Sequence, residues 1–304
     1  MPDSQQLPIV AGVDGSANSD RALDWAVSQA TRSRRPLRVM HVPEPGLLAH
    51  FGFPPKGDSA ERAVRAAREL VDSRVARVRE AAPDLAVSGE VIEGPRNRCL
   101  EDQSRAAHLL VLGAHGLGGV ESLVTGSTTL NLAVHGSCPI VVVPKETTTT
   151  TVSRVVAGTD VSKASLPAVD LAFAQARLWE AALRIVVAWE SSAFAWPADQ
   201  DEGWPVDQEP SPEQARARIA NFLAAKEAEY PNVPVEKEIV PGAAVPVLVD
   251  ESDRADLLVV GSHGHGHGIM ESLKDLGSVS RGVLRHARCP VAVVPVHSGS
   301  TSTE

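Results

Sequence analysis

Aromatic side chains are scarce in this chain. They make up 4% of its 304 residues, and cysteine occurs only three times. An odd, sparse cysteine set does not build a disulfide framework, which points to a reducing cytoplasm. Long apolar runs are missing too: none approaches the ~20 residues that a membrane-spanning helix needs. The first residues, MPDSQQLP, lack the basic stretch and apolar core of a signal peptide. A cytoplasmic protein without a membrane partner is therefore expected. Positive charge is also short, with 29 basic against 38 acidic residues and a net charge of −9. General nucleic-acid binding requires a basic face, so no nucleic-acid partner is expected. A single phosphate-bearing ligand held by main-chain amides stays open.

What the chain does have, it has twice. IVAGVDGSANSDRALDWAVSQA from Ile9 is answered by VVAGTDVSKASLPAVDLAFAQA from Val155. AAHLLVLGAHG from Ala106 is answered by RADLLVVGSHG from Arg254, and GSCPIVVVP from Gly136 by ARCPVAVVP from Ala287. Asp14 matches Asp160, 146 residues later, and Gly113 matches Gly261, 148 later. So long a period is a duplicated domain rather than a solenoid unit. The expected domains are residues 1–146 and 152–297, each long enough to bury a core. KETTTTT (145–151) links them, and a polar tail follows Val296. Residues 1–146 carry 16 basic and 17 acidic groups, and residues 147–304 carry 13 and 21. The acidic second half is thus expected to have a surface role of its own. Cys138 and Cys289 hold the same place in each copy, before a proline and an apolar strand, and read as small core groups. Cys99 has no cysteine counterpart.

Each copy alternates strand and helix. In the first, strands are expected at Ile9–Val13, Leu37–Val42, Ala86–Ile92, Leu109–Leu112 and Ile140–Val143. Helices are expected at Asp20–Thr31, Ala60–Ala81, Asn97–Ala107 and Ser127–His135. The second copy repeats the order from Val155 to Val294. Such alternation predicts an α/β fold with a parallel five-stranded sheet in each domain and helices on both faces. Arg62, Arg65, Arg68 and Arg79, interleaved with Glu61, Glu69 and Asp72, read as a solvated helix face. Residues 189–212 hold Trp189, Trp196 and Trp204 among acids and read as a loop covering a sheet edge, with a lid or partner surface as the alternative.

The strongest chemical signal follows the fourth strand: GAHGLGGVESLVTGST. Gly113 and Gly116 are two residues apart, nine residues separate Gly116 from Gly126, and Ser127 opens a helix. Glycines, here joined by Gly118 and Gly119, let backbone amides approach a ligand with no Cβ in the way. A helix N-terminus adds unpaired N–H groups and partial positive charge. In a parallel sheet this loop lies at the carboxyl ends of the strands, where ligands bind. The second element is Gly12, Val13 and Asp14 at the end of the first strand. Asp14 can accept hydrogen bonds from a base or ribose, or hold a metal ion that bridges phosphates. Alternatively Asp14 caps the following helix, although Asn18 and Ser19 can serve there instead.

This pattern of glycine–two–glycine–nine–glycine–serine, with an aspartate after the first strand, resembles the universal stress protein family. The resemblance is to its tandem members, covers nearly all of both halves, and is especially close over GSVSRGVLRHARCPVAVVP (277–295). It implies an adenine-nucleotide alpha-hydrolase-like fold, ATP binding, a link to stress or dormancy responses, and homodimer pairing through last strands. Carried over by position, Gly12, Val13 and Asp14 would lie by adenine and ribose, and Val42 would line the adenine pocket. Gly113, Gly116, Gly126, Ser127 and Thr128 would meet ribose and phosphates, with Mg bound through Asp14 and ATP. In the second copy the matching positions are Asp160, Gly261, Gly264, Gly277, Ser278 and Val279.

The second loop, GSHGHGHGIMESLKDLGSVS, departs from the pattern, since twelve residues rather than nine separate Gly264 from Gly277. A weaker or altered site is expected there. His263, His265 and His267 alternate with glycine and read as groups near phosphate or exposed to water; a transition-metal site is the alternative. Three functions stay open. One is an ATP-binding regulator read by an unknown protein partner, with no catalytic residues. Another is an enzyme that activates its substrate with ATP, although the SGGxDS and HxGH signatures of related enzymes are missing. The third is a ligand-free dimerisation scaffold.

Overall fold

The computed structural model describes residues 6–43, 58–114, 127–146, 153–189, 212–263 and 276–296. The chain divides into two compact units, Met1–Lys145 and Glu146–Glu304.

In the first unit the strands are β1 (Ile9–Gly12), β2 (Leu37–His41), β3 (Val87–Val91), β4 (Leu109–Gly113) and β5 (Ile140–Val143). They run β3-β2-β1-β4-β5, and every neighbouring pair is parallel. The helices are α1 (Ala17–Ser33), α2 (Asp58–Ala81), α3 (Arg96–Ser104) and α4 (Ser127–His135). From β1 the chain steps outward twice, through α1 to β2 and α2 to β3. It then crosses back through α3 to β4 and goes on through α4 to β5. Right-handed crossovers therefore put α1 and α2 on one face and α3 and α4 on the other. This explains why β4 and β5 are near-continuous buried Leu, Val and Ile. The outer strand β3 is mostly exposed. Its Gly89 sits under α2, where an added Cβ would come within 2.5 Å of Val71 Cγ1 and 2.9 Å of Val75 Cγ2.

Helix α1 begins earlier than the Asp20 expected from hydrophobic spacing. Ser16 is its N-cap: the hydroxyl accepts the Ser19 amide at 3.1 Å. Asn18 and Ser19, the caps expected from sequence, lie inside the first turn. Helix α2 buries Ala67, Val71, Val75 and Val78, and leaves Arg62, Arg65, Arg68, Arg79, Glu61, Glu69 and Asp72 in solvent.

The second unit repeats the plan: β6 (Arg154–Gly158), β7 (Ala182–Trp189), β8 (Val235–Pro241), β9 (Leu257–Gly261) and β10 (Val291–Val294), in the order β10-β9-β6-β7-β8. Its helices are α5 (Leu166–Trp179), α6 (Pro212–Glu229), α7 (Ala244–Ser252) and α8 (Ser278–His286). Pro167 lacks the N–H that would carry α5 back toward Ser162, so a 3-10 turn (Lys163–Ser165) precedes it. The core includes Phe173, which is fully buried and meets the Tyr230 ring 5.5 Å away between centroids. Among the described residues no helix is long and apolar enough to cross a membrane. Trp196 and Trp204 lie outside the described residues.

Candidate functional site

All strands of the first unit point the same way, so β1, β2 and β4 finish on one edge. Register makes this specific. Gly12 pairs with Met40 and Ala11 with Val111, and the Val13 amide donates to Met40 O at 2.8 Å. Asp14, Val42 and Ala114 therefore follow the ends of β1, β2 and β4 on that edge. Gly12, Val13, Asp14, Val42 and Gly113 thus lie at, or one or two residues past, strand ends on one edge.

The Asp14 turn is held by its own polar groups. Asp14 Oδ1 accepts the Ser16 amide at 2.9 Å, and the Asp14 amide donates to Ser19 Oγ at 3.3 Å. Ser19 Oγ in turn donates to Ser16 O at 2.9 Å. Between them Gly15 adopts φ +88°, which costs a glycine nothing. Asp14 is thus a turn-forming group as well as a half-buried carboxylate at the strand ends. His41, which sequence reasoning overlooked, closes the arrangement from β2. Its Nδ1 lies 2.6 Å from Val13 O. A carbonyl only accepts, so Nδ1 carries the proton and Nε2 is the remaining nitrogen. Val42 is buried beside it.

Gly113 has a structural duty that the glycine spacing did not reveal. A Cβ there would lie 2.8 Å from Asn18 Nδ2 and 3.1 Å from the Asn18 carbonyl carbon. Its bareness lets α1 close on β4. Thr128 is half-buried in the first turn of α4, followed by the buried Thr129. Gly116 and Gly126 fall outside the described residues, as does the Ser127 side chain. No group of three His, Cys, Asp or Glu side chains that could hold a metal is present among the described residues.

The second copy repeats the turn with different parts. Asp160 Oδ1 accepts the Ser162 amide at 3.1 Å, and Ser162 Oγ accepts the Ser165 amide at 3.3 Å. Thr159, standing where the first copy has Val13, places Oγ1 2.7 Å from Ser165 Oγ and accepts the Val161 amide at 3.0 Å. Ser165 already donates its proton to Ser162 O at 2.8 Å, so Thr159 is the donor to Ser165. At the far side, Gly277 is the N-cap of α8 without a side-chain cap. Its own amide is engaged with Ser262 O at 3.0 Å. Ser278 is exposed and Val279 half-buried. Ser280 Oγ donates to Gly261 O at 2.5 Å. His263 Nδ1 lies 3.0 Å from Ser262 Oγ. Gly264, His265 and His267 lie outside the described residues.

The buried thiols belong elsewhere. Cys138 and Cys289 precede β5 and β10, at the opposite ends of the strands, and burial pushes both up to about 12.

The universal stress protein family model matches residues 7–144 and again residues 151–295. A universal stress protein of Mycolicibacterium smegmatis is 33% identical over 291 residues, covering 94% of this chain and 96% of its own length. One from Mycobacterium tuberculosis is 31% identical over 310 residues, covering 95% of each. Among solved structures, a universal stress protein from Archaeoglobus fulgidus superposes with a TM-score of 0.69 at 17% identity, over 96% of this chain and 97% of that one. That likeness extends the agreement to the fold. With two copies of the family domain along nearly its whole length, the chain belongs to the universal stress protein family, as a tandem member.

Proposed function

We propose that the first copy binds ATP at its strand-end edge and that the chain acts as a nucleotide-dependent regulator of a stress or dormancy response. The observation that supports this reading most is the placement of Asp14, Val42 and Gly113 at the carboxyl ends of β1, β2 and β4, on one edge of the sheet. Asp14 offers a carboxylate to a ribose or base, and Val42 offers an apolar wall. The N-terminus of α4, which carries Ser127 and Thr128, follows β4, and first-turn amides of a helix suit phosphate. Mg would enter with the triphosphate, with Asp14 as a carboxylate ligand. ATP occupancy is the state that a protein partner reads; turnover is not required of it. The working form is a cytoplasmic homodimer.

The test uses the full chain. It is purified, denatured, and any released nucleotide is identified by chromatography; Mg-ATP affinity is then measured by calorimetry. Asp14→Asn retains an oxygen for the Ser16 amide and removes the charge. It is expected to weaken Mg-ATP tenfold or more without changing the melting temperature. Neither released nucleotide nor heat of ATP binding in the unaltered protein would sink the proposal.

A further inference from the structure

Strand β3 ends the sheet order and carries a row of main-chain groups that no described residue uses. Leu37 N–H donates to Ala86 O at 2.9 Å, and Ile92 N–H donates to His41 O at 3.0 Å. Even-numbered residues of β3 therefore bond to β2, and Val87, Gly89 and Val91 turn N–H and C=O to the open side. The pairing runs unbroken from Leu37 with Val87 to His41 with Val91, so no bulge bends this edge away. Ser88, Gly89 and Glu90 are exposed, and Val87 and Val91 are half-buried.

The second unit shows what a guarded edge looks like. Its outer strand, β8, has the same alternation, since Leu183 N–H donates to Pro234 O at 2.8 Å. Exposed Glu236, Lys237 and Glu238 fill its middle, and Pro241 ends it. Antiparallel self-pairing of β8 over its full length would set Glu238 against Glu238 and ask Pro241 for an N–H it lacks. Charges and prolines of this kind keep sheet edges from joining. Strand β3 has no proline and one charged residue, Glu90. Its own full-length antiparallel pairing sets Gly89 against Gly89, Val87 against Val91 twice, and Ser88 against Glu90 twice. The outward residues of the two copies then match as hydrogen-bonded pairs, and no like charges are opposed. A Cβ on Gly89 would point at Val71 and Val75 of α2, so the period of two puts the valine pairs on that apolar face.

We infer that β3 is the surface through which two copies of this chain join, edge to edge and antiparallel about Gly89. The occupant is a second copy because the edge is complementary to itself, and a two-fold contact of this kind closes at the dimer. The axis stands perpendicular to the sheet, so the α2 helices of both copies lie on one face of the joined strands. The inference rests on the homodimer reading given above and gives that dimer a surface other than the last strands.

The experiment is sedimentation equilibrium over a range of concentrations, on the full chain and two variants. Ser88→Glu, at an exposed position, opposes like charges twice across the seam; a melting curve checks that it folds. Adding Glu90→Lys to it makes both pairs opposite in sign. A dimer is expected for the unaltered chain, about tenfold weaker for Ser88→Glu and restored in the double variant. A dimer unchanged by Ser88→Glu would overturn this surface and leave the homodimer reading intact. A monomer at every concentration of the unaltered chain would overturn that reading and the surface with it. Weakening by Ser88→Glu without recovery in the double variant would overturn the register about Gly89. Species growing beyond the dimer with concentration would mean head-to-tail contact and would overturn the two-fold.

Discussion

Arg74 grips Asp20 with both arms of its guanidinium: Nε–H donates to Oδ1 at 2.9 Å and Nη2–H to Oδ2 at 3.0 Å. The pair joins α2 to α1, and Arg77 adds a bond to Asp24 at 2.9 Å. Both partners of the first pair are half-buried, which makes it stronger than an ordinary surface pair. Aligning the buried stripes Ala67, Val71, Val75 and Ala215, Ile219, Leu223 puts Phe222 in place of Arg74, and the 146-residue offset puts Leu166 in place of Asp20. Arg74→Ala should therefore destabilise the chain by about 1 kcal/mol in chemical denaturation. Arg65→Ala, on the exposed face of the same helix, should change it by less than ~0.5 kcal/mol. Equal effects would deny the pair a structural role.

Arg34 and Glu180 end equivalent helices in the left-handed region, at φ 53° and 54°. The next amides, Arg35 and Ala181, reach back to Ala30 O and Ala176 O at 3.1 and 2.9 Å, the Schellman closure. Both side chains are exposed. Glycine removes the Cβ penalty there, so Arg34→Gly and Glu180→Gly should each stabilise by ~0.5–1 kcal/mol. A rise in denaturation midpoint measures this; a fall would mean the side chains contribute more than the conformation costs.

Phe173 is fully buried at the heart of the second unit. Phe173→Ala should cost ~3–5 kcal/mol, the transfer loss plus the cavity left behind. Urea denaturation reads it, and a loss under ~1 kcal/mol would mean that the site collapses freely.

Burial raises the Cys138 thiol from 9.0 to about 12. The folded state then keeps a proton that the unfolded chain loses above pH ~9. Stability from this group is whole below that pH and declines as pH climbs toward 12, by ~1.4 kcal/mol per pH unit. Denaturation midpoints at pH 8 and pH 10.5 should differ more for the unaltered chain than for Cys138→Ala. A matched pH dependence would refute the shift.

All three cysteines are buried. Thiol counting with an aromatic disulfide should find no fast-reacting thiol in the native chain at neutral pH and three after unfolding. One or more fast thiols in the native chain would contradict that burial.

Much of the architecture was legible in the pattern of residues. Unbroken runs such as Leu109–Leu112 and Ile140–Val143 are what a strand covered on both faces must look like, and their ends agree with the structure to within a residue. The start of α1 was less legible. Ser16 sits in a DGS turn and reads as loop, yet it supplies the cap, because a cap lies outside the hydrophobic period that announces a helix. In the sequence Gly113 reads as a ligand glycine, and the structure adds its close approach to Asn18, a contact 95 positions distant in sequence.

Sequence alone settled the duplication, the strand–helix alternation and the family, since these depend on local periodicity and on residues that recur at a fixed offset. Tertiary structure decided which groups share an edge. Asp14, His41, Val42 and Gly113 come to one edge only because β1 pairs in parallel with β2 and β4. Tertiary structure also decided that Val161 would adopt a left-handed conformation, φ 60°, that no valine prefers by itself. Hydrogen bonds from Thr159, Asp160 and Ser165 together outweigh that local preference, and only a folded chain assembles all of them at once.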